Sequence, residues 1–67
     1  MFAERLKRAR AAKKFSRKTV AFHLGIIPLE YKAYENGECD PSPEILARLC
    51  KLLDVSQDWL FGIEKAE

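Results

Sequence analysis

Basic side chains are concentrated at the N-terminal end of the chain, where they could bind a polyanion. The first 18 residues hold eight Lys and Arg side chains against a single acid, Glu4, which gives a net charge of +7. The rest of the chain holds four basic and nine acidic side chains, a net charge of −5. This asymmetry would draw an anionic partner to one part of a molecule whose total charge is only +2. A run of charge alone is more often a solvated helix face, so its role depends on the helices that carry it.

Other kinds of chemistry have little support in the residue pattern. Cys39, Cys50 and His23 do not have the spacing of a metal site, and two thiols do not make a disulfide framework. The sequence contains no glycine-rich phosphate loop and no plausible Ser/His/Asp arrangement. We therefore expect no enzyme activity, no metal, no cofactor and no small-molecule substrate.

Length and hydropathy narrow the class of protein further. A chain of 67 residues is expected to form one small domain, residues 1–67, with a marginal core. Such a domain often works as a dimer or as one module of a larger protein, and both possibilities stay open. The sequence has no apolar run of membrane-spanning length, and its N-terminus, MFAERLKRAR, lacks the apolar region of a signal peptide. We expect a cytoplasmic protein without membrane contact.

Capping and turn signals divide the chain into five short helices, and no alternating strand pattern of useful length remains. Ser16 is a suitable N-cap for the second helix, and Gly25 is a suitable C-terminal residue for it. Pro28 favours the start of the third helix, although Ile27 is a poor N-cap. The predicted fold class is all-α, with helices over about 2–13, 16–24, 28–36, 43–53 and 57–61.

The segment from residue 16 to residue 37 is the most informative part of the sequence. It places two short helices on either side of a tight turn at Gly25, so the two helices should cross steeply and closely. Close approach requires a small residue at the crossing, and Ala21 meets that requirement. The side chains expected to fill the core here are Val20, Leu24, Ile26, Tyr31 and Tyr34.

This segment and its flanks resemble the Cro and C1-type helix-turn-helix domains, the XRE family of phage repressors and bacterial regulators. The resemblance extends from Phe2 to Gly62. It implies a five-helix, lambda-repressor-like domain that binds double-stranded operator DNA and regulates transcription, as a repressor that acts as a dimer on an inverted repeat. The motifs that carry it are FAERLKRAR, Ser16, Val20-Ala21, Leu24-Gly25, Tyr34-Glu35-Asn36-Gly37, Pro41-Ser42, Val55-Ser56 and Asp58-Trp59-Leu60.

The resemblance also assigns roles to individual residues. It implies a largely buried ion pair between Arg10 and Glu35, which serves structure rather than base reading. It places residues 28–36 in the major groove and the start of the preceding helix over a backbone phosphate. The expected DNA contacts are Ser16, Arg17, Lys18, Ile27, Pro28, Leu29, Lys32, Ala33 and Asn36.

The face expected to read DNA is unusually apolar for this family. Lys32 is its one polar donor, although apolar side chains can contact the methyl group of thymine. Glu30 and the acidic loop over 38–43 would repel phosphates. An alternative is therefore a protein-interaction module on the same fold, such as an antitoxin or an anti-repressor adaptor, docking through Ile27-Pro28-Leu29. The N-terminal charge favours DNA.

Two further expectations concern aromatic and apolar residues outside this face. Leu60, Phe61 and Ile63 are candidate dimer contacts because an exposed apolar end on a small domain needs covering, whereas Trp59 is expected to pack inside. Tyr31 is expected to fill the core while its hydroxyl reaches the surface.

Overall fold

Five helices follow one another along residues 2–63, the part of the chain that this computed structural model describes. The all-α prediction is confirmed, and the described residues contain no strand. The first helix ends one residue earlier than predicted, because Lys14 has a positive φ of 60° and turns the chain toward the next element. The helices are α1 (Phe2–Ala12), α2 (Arg17–Leu24), α3 (Pro28–Glu35), α4 (Pro43–Leu53) and α5 (Gln57–Phe61).

Serine side chains begin three of these helices. The hydroxyls of Ser16, Ser42 and Ser56 each accept a hydrogen bond from the backbone N–H three residues later, at 3.1, 3.3 and 3.0 Å. Each of these bonds satisfies one of the free amides of a first helical turn. Helix α3 has no side-chain cap, and Pro28 at its first position removes one amide that would otherwise lack an acceptor.

A left-handed residue ends α2 and sets the direction of α3. Gly25 has φ +74°, and its N–H donates to the carbonyl groups of Ala21 and Phe22. A Cβ atom at this position would meet no neighbour within 4 Å, so the preference for glycine comes from the backbone conformation alone. The turn brings α3 back against α2, where Ala21 is fully buried at the crossing.

The core lies where α1, α2 and α3 meet, and it extends along α4 to α5. Helix α1 packs on both α3 and α5, while α4 packs on α2 and α5. None of the helices in residues 2–63 is long and apolar enough to cross a bilayer. The buried apolar side chains are Leu6, Ala9, Val20, Ala21, Leu24, Tyr31, Tyr34, Leu46, Leu49, Leu53 and Leu60.

Residues 59–63 differ in part from the expected dimer surface. Leu60 is fully buried in the core, so its assignment as a dimer contact is wrong. Phe61 and Ile63 remain 42% and 66% exposed, and the Phe61 ring stacks on Phe2 with centroids 4.9 Å apart. Trp59 is half-buried and packs against the core, so the expectation that it packs inside is met in part.

Candidate nucleic-acid interface

One carboxylate, that of Glu35, joins the elements that support the interface. Its side chain is fully buried and accepts four hydrogen bonds from three residues. Arg10 donates from Nε at 2.5 Å and from Nη2 at 3.2 Å, and the Tyr31 hydroxyl donates at 2.6 Å. The fourth bond comes from Nε of Arg17 at 3.1 Å. These four bonds use the full acceptor capacity of a carboxylate.

The sequence brings these groups together through helix spacing and one turn. Glu35 is the last residue of α3, and Tyr31 lies one turn before it on the same face. Arg10 lies in the last turn of α1 and also donates from Nη1 to the carbonyl group of Phe15, at 2.9 Å. The network therefore ties α1, the α1–α2 turn, α2 and α3 to one another.

The charge states follow from the same contacts. Burial alone would raise the pKa of Glu35, but the hydrogen bonds from Arg10, Tyr31 and Arg17 outweigh it and hold that pKa below its ordinary value. Burial, followed by the hydrogen bond to Glu35, raises the pKa of Tyr31 above its ordinary range. Tyr31 is thus a buried hydroxyl donor to a charged acid, and the expectation that its hydroxyl reaches the surface is wrong.

The start of α2 presents two cations to solvent. Arg17 and Lys18 are exposed in the first turn, and that turn holds no acid. The partial positive charge at a helix N-terminus favours anions, so two cations there are unfavourable for the isolated helix. Ser16, the cap, is also exposed, and its hydroxyl shares a 2.9 Å hydrogen bond with Thr19. The two cations therefore add to the positive potential at this end of the helix.

The outward face of α3 is open and mostly apolar. Leu29, Lys32, Ala33 and Asn36 recur at three- and four-residue intervals, which puts them on one side of the helix. Leu29 is 71% exposed, and Lys32 and Asn36 are exposed, while Ala33 is half-buried. Ile27 and Pro28, also exposed, stand where this face begins.

Glu30, on the flank of the outward face of α3, has a hydrogen-bond partner within the same helix. The Tyr34 hydroxyl donates to Glu30 at 2.9 Å, and burial together with this bond raises the pKa of Tyr34 to about 12. The contact holds the Glu30 carboxylate on the side of α3 that carries buried Tyr34. Glu38 and Asp40 of the following loop are exposed, and their predicted repulsion of phosphates stays a prediction.

Several contacts in the structure have no counterpart among the sequence predictions. One is the bond from Arg17 to Glu35, which engages a residue assigned only to phosphate. Another joins α1 to α5: Arg5 donates to the carbonyl group of Trp59 at 2.8 Å and lies 5.0 Å from the centre of its ring. A separation of 54 residues between the partners leaves no local signal for the second contact.

The helices and the tight turn at Gly25 define a helix-turn-helix protein, in which α2 and α3 form the motif. The family described as "Helix-turn-helix domain" matches residues 3–62, so the chain belongs to this family, of the XRE type. The resemblance stated from the sequence is thereby confirmed.

Similar proteins come from Bacillus subtilis. The chain is 40% identical over its whole length to the uncharacterized HTH-type transcriptional regulator YqaE, of which it covers 58%. It is 42% identical over 90% of its length to the SPbeta prophage-derived uncharacterized HTH-type transcriptional regulator YonR, covering 56% of that protein. The HTH-type transcriptional regulator AnsR is 42% identical over 97% of this chain, which covers 56% of AnsR. The chain thus spans little more than half the length of these relatives, and no solved structure matches it.

Proposed function

We propose that this chain binds double-stranded DNA in a sequence-specific manner and regulates transcription. The observation that carries the proposal is the exposed pair of cations, Arg17 and Lys18, at the start of α2, next to the open outward face of α3. The names of the similar proteins, HTH-type transcriptional regulators, support the same function. Because operator DNA in a bacterial cell lies in the cytoplasm, we place the activity there.

In the proposed complex α3 enters the major groove and α2 crosses the backbone. The major groove is wide enough for an α-helix, and the steep corner at Gly25 leaves α3 accessible along its outward face. Ser16, Arg17 and Lys18 then contact backbone phosphates, and Asn36 contacts the backbone beyond α3. Arg10, mostly buried, holds α3 through Glu35 and does not touch bases.

Base reading would come largely from apolar contacts. Ile27 and Leu29 are 62% and 71% exposed, and side chains of this kind can pack on the thymine methyl group in the major groove. Lys32 supplies a hydrogen-bond donor for the bases, and Pro28 and Ala33 complete the surface. These side chains therefore favour half-sites that contain thymine.

We further propose that the regulator is a repressor that binds as a homodimer. Phe61 and Ile63 form an exposed apolar end with Phe2 stacked beside them, and a second copy would cover it. Two domains related by a twofold axis fit half-sites one helical turn apart, about 10 bp. A dimer that covers both half-sites would keep other proteins from the same groove, and this is the basis for repression.

A salt-dependent titration tests the proposal. The protein is added to a fluorescent mixed-sequence duplex of about 20 bp, long enough for two half-sites. Between about 50 and 200 mM salt, the logarithm of the affinity should fall by about 0.9 per phosphate contact for each unit of log salt. The saturation point should correspond to two chains per duplex. An affinity that does not change with salt concentration would contradict DNA as the partner. A folded protein that binds no duplex at low salt would also contradict it.

The second candidate function is a protein-interaction module on the same fold. The exposure of Phe22 (79%), Ile27 and Leu29 favours it, because apolar side chains of this size at a surface often mark a protein contact. If this candidate is correct, the titration above should show no binding of the duplex at low salt. Isolation of a tight protein complex whose interface contains Leu29 would then select it over DNA binding.

A further inference from the structure

The buried carboxylate of Glu35 has more positive partners than its neutralisation requires. Arg10 alone matches its charge, with two hydrogen bonds and a side chain only 16% exposed. Arg17 adds a second cation, with its Nε 3.1 Å from Oε1 of Glu35. The cluster of these two arginines and one acid therefore carries a surplus charge of +1, and Arg17 is the member at the surface, 43% exposed.

The way in which Arg17 is held leaves its outer edge available. A guanidinium group has five N–H donors in a planar fork, of which the Nε–H points to one side. Among the described residues, the side-chain hydrogen bonds of Arg17 are limited to the one from Nε. Both terminal nitrogens thus keep their donors, and the partly exposed end of the side chain can offer them to an acceptor in solvent.

The bond from Nε to Glu35 fixes one edge of the Arg17 guanidinium group, and it thereby restrains the plane of that group. The carboxylate that fixes it is itself immobilised, because Arg10 and the Tyr31 hydroxyl hold its two oxygens. A restrained fork loses less side-chain freedom when it meets a phosphate, and two parallel N–H···O bonds suit phosphate oxygens well. Lysine at this position would carry the charge without the fork.

We propose that Arg17 is a preorganised phosphate clamp, and that Glu35 is the positioning residue that presents its two terminal nitrogens to one DNA phosphate. This inference rests on the proposed function, since the phosphate belongs to the duplex that α3 enters. It differs from a simple electrostatic contact because shape, as well as charge, is required at residue 17. Arg17 keeps its bond to Glu35 when DNA is bound.

The test compares Arg17→Lys and Arg17→Ala with the wild-type chain, using the same mixed-sequence duplex over the same range of salt. Arg17→Lys should bind about tenfold more weakly with an unchanged salt slope, because the charge stays and the fork is lost. Arg17→Ala should also reduce the slope by about 0.9, the value for one phosphate contact. Lys51→Arg is the control, and this exchange at an exposed residue of α4, outside the helix-turn-helix motif, should leave the affinity unchanged.

The outcomes separate the clamp from the proposed function. If the wild-type chain binds duplex and Arg17→Lys binds within about twofold of it, the clamp is wrong while DNA binding stands. If the folded wild-type chain binds no duplex, both are wrong. The Nε–H proton resonance of Arg17 should be protected from exchange in the free and bound states. Loss of that protection on addition of duplex would show that Glu35 does not position the group.

Discussion

Replacing Glu35 by alanine should lower the free energy of unfolding by about 3–5 kcal/mol, the usual cost of breaking one side of a buried ion pair. The variant leaves the Arg10 guanidinium largely buried without its counter-charge, and it leaves the Tyr31 hydroxyl in the core without an acceptor. A chain of this length has a total stability of only about 3–10 kcal/mol. Urea unfolding followed by circular dichroism should therefore show a variant that has lost a large fraction of its stability.

The matched control is Glu44→Ala, which removes an acid from an exposed ion pair. Glu44 lies 3.6 Å from Arg48 on α4, with the two side chains 79% and 54% exposed. Exposed pairs at this spacing contribute little, so the variant should lose less than about 1 kcal/mol. Equal losses for Glu35→Ala and Glu44→Ala would mean that the buried network does not hold the fold.

The same carboxylate should make stability depend on pH. The pKa of Glu35 is lower in the folded chain than in the unfolded chain, so the unfolded state binds the proton more readily. The contribution of Glu35 is therefore complete above the ordinary glutamate pKa of about 4.3, and it disappears as the pH falls through the lowered folded value. Acid unfolding of the wild-type chain should begin in that window.

Replacing Lys18 by glutamate should change stability and DNA binding in opposite directions. Lys18 is exposed in the first turn of α2, where an acid would interact favourably with the helix dipole. The free energy of unfolding should rise by about 0.3–1 kcal/mol. In the DNA titration the same variant should bind every duplex more weakly, with a salt slope smaller by about 0.9 because one phosphate contact is lost.

Lys51→Glu serves as the control with the same change of net charge. Lys51 is exposed in the last turn of α4, where a cation is favourable, so this variant should be slightly less stable. Its affinity for duplex should change much less than that of Lys18→Glu, because α4 lies outside the helix-turn-helix motif. If the two variants weaken binding equally, net charge rather than the start of α2 governs the interaction.

Helix boundaries were predictable because their signals are local. A serine hydroxyl reaches the amide three residues ahead of it, and a glycine adopts the left-handed conformation at a helix end, whatever the rest of the chain does. Ser16 and Gly25 behave in this way, and the helix between them begins and ends where these signals place it. The same reasoning placed the end of α1 one residue too late, since Lys14 carries no such signal although it has a positive φ.

Contacts between helices were harder to predict from the sequence, because they depend on how the helices pack on one another. The pairing of Arg10 with Glu35 was implied by the family resemblance, whereas the Arg17 bond to the same acid depends on how α2 packs on α3. Tyr31 lies four residues before Glu35 in α3, so helix spacing allows their contact, but only the packing shows that the hydroxyl is buried. Leu60 was misplaced because five residues of α5 are too few for a helical period to show which side chain turns inward. The DNA contacts assigned to α3 stay predictions.

The central claim is that the start of α2 and the outward face of α3 meet the major groove of duplex DNA. Amide and side-chain NMR spectra of the labelled protein, recorded as duplex is added, test it directly. We predict that shifts cluster at Arg17, Lys18, Leu29 and Lys32, and that methyl protons of Leu29 show contacts to thymine methyl groups. Shifts confined to α4 and α5, with residues 16–36 unchanged, would contradict it.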